Sequence, residues 1–142
     1  MSRAFIHRLR VRYGECDPQG VVFNANYLTY FDVALTELWR EALGPYGEMT
    51  AGGTDMVVAE ASARFLAPAG FDDELDVEVV VTHLGRTSML TRMSVRRGPV
   101  EVVQGEMRHV FVDVEHKRKT AIPAEIRSGL ERHLVAEAGV GA

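Results

Sequence analysis

Apolar residues recur along this chain with two different periods, and the change of period divides it into elements. Phe5, Leu9 and Val11, interleaved with His7, Arg8, Arg10 and Arg12, read as a first strand. The strand runs into Asp17-Pro18-Gln19-Gly20, which has Asp, Pro and Gly where a type I turn favours them. After the apolar run Val21-Val22-Phe23, residues Leu28, Phe31, Leu35, Leu38 and Ala42 recur at spacings of three and four, one stripe of an α-helix. Either Asn24 or Asn26 is placed to cap its start, and Gly44-Pro45 ends it. Tyr27, Tyr30, Val33, Ala34 and Trp39 widen the apolar surface beyond one stripe, so the helix is expected to be buried.

From residue 57 the period is two. Ala59, Ala61, Ala63 and Phe65 alternate with Glu60, Ser62 and Arg64, and Leu75, Val77, Val79 and Val81 alternate with Asp76, Glu78 and Thr82. Met89 to Val95 and Val100 to Val114 continue the alternation, joined through Arg97-Gly98-Pro99 as an antiparallel hairpin, with Gly105 as a candidate β-bulge. The segment from Pro123 through Ala138 reads as a helix with Ile126, Leu130 and Leu134 on one face. The predicted order is strand, long helix, four strands, short helix. This is an α+β pattern in which the helix covers one face of a sheet. A second copy of the chain is the economical cover for the other face, so a homo-oligomer is expected.

Composition narrows the function classes. With 142 residues, about two-thirds of the unfolded chain's surface can be buried, enough for one domain with its own core, spanning residues 1–142. The balance of 16 basic against 20 acidic side chains disfavours nucleic acid and anionic membrane surfaces as partners. The single cysteine, Cys16, cannot form an internal disulfide, and the first ten residues have no apolar segment, so the expected location is cytoplasmic. No run approaches the roughly 20 apolar residues of a membrane helix.

Most signatures of chemistry are missing. The five histidines form no close pair and no His-Glu-x-x-His, so no metal is expected. No glycine-rich nucleotide loop and no Gly-x-Ser-x-Gly occurs, and no cofactor is expected. What remains is the stretch from Tyr13 to Tyr27. Its plain reading is a turn followed by a capped helix. Its sharper reading sets the Asp17 carboxylate beside a helix N-terminus, whose free N–H groups favour a developing oxyanion. Such a pair can perform acyl transfer without serine or histidine.

This stretch resembles the signature of the hotdog-fold acyl-CoA thioesterases, and most of all the 4-hydroxybenzoyl-CoA thioesterase branch, in which an Asp-Pro-x-Gly turn precedes Asn-Tyr on a central helix. The resemblance implies an antiparallel sheet wrapped around that helix, dimers that pair again into tetramers, and active sites at subunit interfaces. It implies Asp17 as the catalytic carboxylate, acting either as nucleophile on the thioester carbonyl or as general base toward water. It places the oxyanion donor at the backbone N–H of Asn24, where another branch has a histidine. Gly20 would let the backbone approach the thioester. Asn26 and Tyr27 would cap and pack the helix beside the substrate. Asp32 stands where the hydroxybenzoyl branch contacts a phenolic hydroxyl, though an acid in the second helical turn also has plain structural uses. Cys16, lacking a histidine partner, reads as a small buried side chain.

An acyl-CoA substrate needs cations for its phosphates. Arg86, with Thr87 and Ser88, and the run Lys117-Arg118-Lys119 lie where the resemblance implies CoA binding. The same cations would suit an acidic acyl carrier protein. Two other readings stay open: a dehydratase, disfavoured because residues 24 to 43 contain no histidine, and a non-catalytic module binding acyl ligands.

Overall fold

The computed structural model describes residues 4–135. Strand β1 (Phe5–Arg10) leads through a 3-10 turn (Tyr13–Glu15) to helix α1 (Asn26–Leu43) and the short helix α2 (Tyr46–Ala51). Strands β2 (Thr54–Phe65), β3 (Glu74–Leu84), β4 (Ser88–Arg97), β5 (Val100–Asp113) and β6 (Arg118–Lys119) follow, then helix α3 (Ala124–Glu131). The strands form one antiparallel sheet in the order β1-β3-β4-β5-β2, with β6 paired to the end of β5. The sheet curls around α1, the α+β arrangement expected from the period change. No helix of the described residues is long and apolar enough to cross a membrane.

The alternation in β3, β4 and β5 decides which face meets the helix. Leu75, Val77, Val79, Val81, Met89, Met93, Val95, Val103 and Phe111 are buried against α1. Their outward-turned neighbours are mostly polar, with Val80 and Leu90 half-buried among them. Among them Arg8 pairs with Asp76 at 2.8 Å, Arg96 with Glu78 at 3.5 Å and Arg108 with Glu60 at 3.7 Å. An outer face of this kind is at home in water. The expectation that this face needs a second subunit to cover it therefore loses its reason.

Unsatisfied surface lies at the sheet edge instead. β2 is a terminal strand 12 residues long, and most of its residues are exposed, among them Val57, Val58 and Phe65. Helix α1 buries Tyr27, Tyr30, Phe31, Ala34, Leu35, Leu38 and Trp39. Leu28 and Val33, expected in the buried stripe, are exposed. A long, apolar, unpaired edge strand is a template for pairing with another chain.

Several local expectations are corrected. Neither Asn24 nor Asn26 caps α1. The capping position is Ala25, and the Asn26 side chain donates instead to the Glu15 carbonyl at 2.8 Å, because the 3-10 turn brings that oxygen within reach. Gly44 does end α1, with φ at 99° and its N–H donating to the Arg40 carbonyl. Helix α3 stops at Glu131, and Leu134 lies beyond it, bridged to Val81 of β3. Residues 136–138 of the longer predicted helix lie outside the described residues. Gly105 is not a bulge: it pairs in register with Ala63 and Met93, and the register shifts fall near Ala59, Thr82 and Val95. Its lack of a side chain seats Phe31, since a Cβ there would lie 2.3 Å from two ring atoms. Overpacking of this kind costs about 1 to 3 kcal/mol, so Gly105→Ala should lower the Tm in a thermal melt. An unchanged Tm would show that Phe31 can withdraw freely.

Candidate active site

The Asp17 loop is built by local hydrogen bonds. The Gly20 N–H donates to the Asp17 carbonyl at 2.8 Å, Gly20 takes φ of 82°, and the Asp17 N–H donates to the Val21 carbonyl at 2.9 Å. This is a type I turn closed by a left-handed glycine. The Gln19 N–H donates to Asp17 Oδ1 at 2.8 Å. That bond fixes one carboxylate oxygen, while Oδ2 accepts nothing from the described residues.

Glu15, to which no sequence motif draws attention, ties this loop to the helix. Its Oε1 accepts from the Tyr30 hydroxyl and from the Arg12 N–H, both at 2.8 Å. Its carbonyl accepts from the Asn26 amide and from the Phe23 N–H. Burial and the Glu15 contact both raise the Tyr30 pKa, so the hydroxyl stays a donor. Only the Tyr and Asn four residues apart on one helical face hint at this clamp in the sequence.

The result is an open groove of about 470 Å³ that brings Asp17, Asn24 and Tyr27 together against Phe65, Leu66 and Pro68. The first N–H groups of α1 that bond within the segment are those of Asn26, Tyr27 and Leu28, donating to Phe23, Asn24 and Ala25. The N–H groups of Asn24 and Ala25 have no protein acceptor among the described residues. A free carboxylate oxygen and free amides at a helix N-terminus therefore share one groove, the elements needed to hold and attack a carbonyl. Burial pushes the Tyr27 phenol up to about 12 against the opposing pull of Arg97, so it remains neutral. Arg97, another residue not singled out from the sequence, donates to the Pro68 carbonyl at the groove rim. Gly20 shapes the loop and does not line the groove.

Other candidates lie elsewhere in the protomer. Asp32 faces a different cavity, of about 180 Å³, between α1, α2, β2 and β5. Arg86, Thr87 and Ser88 form the β3–β4 turn, where the Ile122 N–H donates to the Arg86 carbonyl and the Phe111 N–H to the Thr87 carbonyl. Arg118 and Lys119 pair with Asp113 and Val112. The two cationic segments thus gather at one end of the sheet, all four cations exposed. That end is distant from Asp17. The Asp17 groove borders Phe65, which pairs with Val103, whereas the cations border Asp113, and ten residues of strand span about 34 Å. Cys16 is half-buried with Sγ 3.9 Å from the Arg12 carbonyl. Among the described residues no three His, Cys, Asp or Glu side chains converge as a metal site.

Comparison with known proteins places this arrangement. The family model of the thioesterase superfamily matches residues 19–104. The chain is 31% identical to a 4-hydroxybenzoyl-CoA thioesterase of Pseudomonas sp. over 88% of its own length and 96% of the relative. It is 29% identical to the acyl-CoA thioester hydrolase YbgC of Escherichia coli, over 83% and 89% of the two chains. A crystal structure of a protein from Thermus thermophilus superposes with a TM-score of 0.86 at 29% identity, covering 94% of this chain and 99% of that one. With a central helix wrapped by an antiparallel sheet, and an aspartate turn at the start of that helix, this chain belongs to the thioesterase superfamily and is a thioesterase of the hotdog fold.

Proposed function

We propose that this thioesterase hydrolyses a small aromatic acyl-CoA thioester, of the hydroxybenzoyl kind, in a site assembled from two copies of the chain. The observation that carries the chemistry is the free Oδ2 of Asp17 in one groove with the open N–H groups of α1. In one route Oδ2 attacks the thioester carbonyl carbon, the C–S bond breaks, CoA leaves as thiolate, and water hydrolyses the resulting anhydride. In the other, Asp17 takes a proton from the water that attacks. Either route consumes one water, yields acid and CoA, and directs the developing oxyanion to the Asn24 end of the helix.

The second copy answers the separation of Asp17 from the cations. Two β2 edges pairing antiparallel about a two-fold axis would set the Phe65 end of one strand opposite the Met56 end of the other. That pairing would carry the partner subunit's Arg86 and its Lys117, Arg118 and Lys119 toward Asp17, and would cover Leu28, Val33, Val57 and Val58. The resulting unit is a homodimer, with a further pairing into a tetramer open to the polar outer faces. The same exposed cations fit an acyl carrier protein, and competition between CoA and carrier-bound thioesters separates the two thiol donors.

A panel of aromatic and aliphatic acyl-CoA thioesters, read by thiol release, tests the reading. Aromatic members should give the highest kcat/KM. Preference for short aliphatic acyl groups would overturn the aromatic assignment, and binding without thiol release would make the protein a ligand-binding module.

A further inference from the structure

The two parts of the candidate site belong to different elements. Asp17 is half-buried on a surface turn, whereas the open N–H groups of Asn24 and Ala25 stand at the start of α1. Attack on a carbonyl needs both in one geometry, and a misplacement of about 1 Å can cost about a hundredfold in rate. The turn's own backbone bonds do not set that geometry. On its far side the Val22 N–H donates to the Ala69 carbonyl at 2.8 Å, which ties the loop to the segment before β3 and leaves the helix out.

Glu15, two residues before Asp17, makes the missing connection with both ends of the residue. Its carbonyl accepts from the Phe23 N–H at 2.9 Å and from the Asn26 side-chain amide at 2.8 Å. Phe23 and Asn26 stand immediately before and after the Asn24–Ala25 pair, so one oxygen brackets the two open N–H groups. The side chain is held in turn, because Oε1 accepts from the Tyr30 hydroxyl and the Arg12 N–H, each at 2.8 Å. Tyr30 follows Asn26 by four residues and so lies on the same face of α1. It is 3% exposed, with its ring edge-on to that of Tyr27 at 5.5 Å, which makes it a fixed post for the loop.

We propose that Glu15 and Tyr30 are positioning residues, which set the Asp17 carboxylate at its working distance from the helix N–H groups that receive the oxyanion. Neither lines the groove, so both act through the groups they hold. What the clamp requires at residue 15 is an oxygen that accepts two hydrogen bonds, and an uncharged amide oxygen meets that requirement. The inference rests on the assignment of the chemistry to Asp17.

The test measures kcat and KM by thiol release for Tyr30→Phe, Glu15→Ala and Glu15→Gln, on whichever member of the acyl-CoA panel the parent turns over fastest. Tyr30→Phe keeps the buried ring and loses only the hydroxyl, so it should fold, and kcat should fall about tenfold with KM close to parental. Glu15→Ala releases both bonds to Oε1 and should cost more. Glu15→Gln offers the same two donors an amide oxygen and should keep most of the parental kcat. In an Asp17→Asn background the loss from Tyr30→Phe should shrink toward nothing, since two residues acting through one step are not additive. Parental kcat in Tyr30→Phe and Glu15→Ala, with only the Tm lowered, would make the clamp merely structural and overturn the inference. An equal loss in both backgrounds would do the same, as would a Glu15→Gln variant no better than Glu15→Ala. Parental kcat in Asp17→Asn alone would instead refute the Asp17 reading beneath it.

Discussion

Asp17→Asn is expected to lower kcat by about 10² to 10⁴, the usual loss when a catalytic carboxylate is removed, equivalent to about 3 to 5 kcal/mol of barrier. The substitution is a clean one because of how the loop is built. Asp17 Oδ1 accepts the Gln19 N–H, and the amide oxygen of asparagine can accept the same bond. The turn itself rests on backbone bonds from Gly20 and Asp17, which the change leaves alone. KM should therefore move little, and the melting curve should match that of the parent. What disappears is the nucleophilic or proton-accepting Oδ2. A folded variant with parental kcat would remove Asp17 from the chemistry, whichever of the two routes is considered.

Mixing two inactive chains should restore activity. One chain carries Asp17→Asn; the other carries Arg86→Ala with Lys117→Ala, Arg118→Ala and Lys119→Ala. Charge-assisted contacts contribute about 1.5 to 3 kcal/mol each when made, so losing several should cost the second chain about a hundredfold or more in kcat/KM. If each site takes Asp17 from one copy and cations from the other, a heterodimer holds one doubly damaged site and one intact site. Random pairing at equal amounts should then return about a quarter of the parental kcat/KM. A site contained within one copy would give no recovery, only the mean of two defective proteins. Light scattering supplies an independent check, since a stable monomer at micromolar concentration would overturn the two-copy reading directly.

Much of the scaffold is legible in the chain because it is written in local periodicity. The alternation in Leu75 to Val81 and in Met89 to Val95 tells both that these segments are strands and which side chains face inward. The helix from Asn26 to Leu43 follows from spacings of three and four together with the glycine at its end. Elements held by tertiary contacts leave no such trace. Helix α2 has Gly47 and Thr50 within six residues, weak helix formers, and it is secured by Tyr46 against Trp39 at 5.4 Å and by burial of Met49. The bulge expected at Gly105 fails for a related reason. Glycine in a strand signals either a kink or a close neighbour, and only the position of Phe31 distinguishes them.

The candidate site divides in the same way. The Asp-Pro-Gln-Gly turn and the start of the helix are contiguous in sequence, so their union in one groove follows from the chain alone. The role of Glu15 does not, because it comes from Tyr30 reaching back across the turn.

The sequence by itself determined the long helix, the main strands and the inward faces of those strands, and singled out Asp17 as the candidate carboxylate, since each depends on neighbours within a few positions. The tertiary structure decided that β2 ends the sheet beside β5, that its apolar edge is left unpaired, and that Asp17 and the cations stand at opposite ends of one copy. Those facts arise from pairings between residues some 40 to 60 positions apart, such as Phe65 with Val103 and Thr54 with Asp113, which no local pattern encodes. The physical reason is that periodicity fixes which way a side chain points from its own strand, whereas a site is fixed by which strands become neighbours.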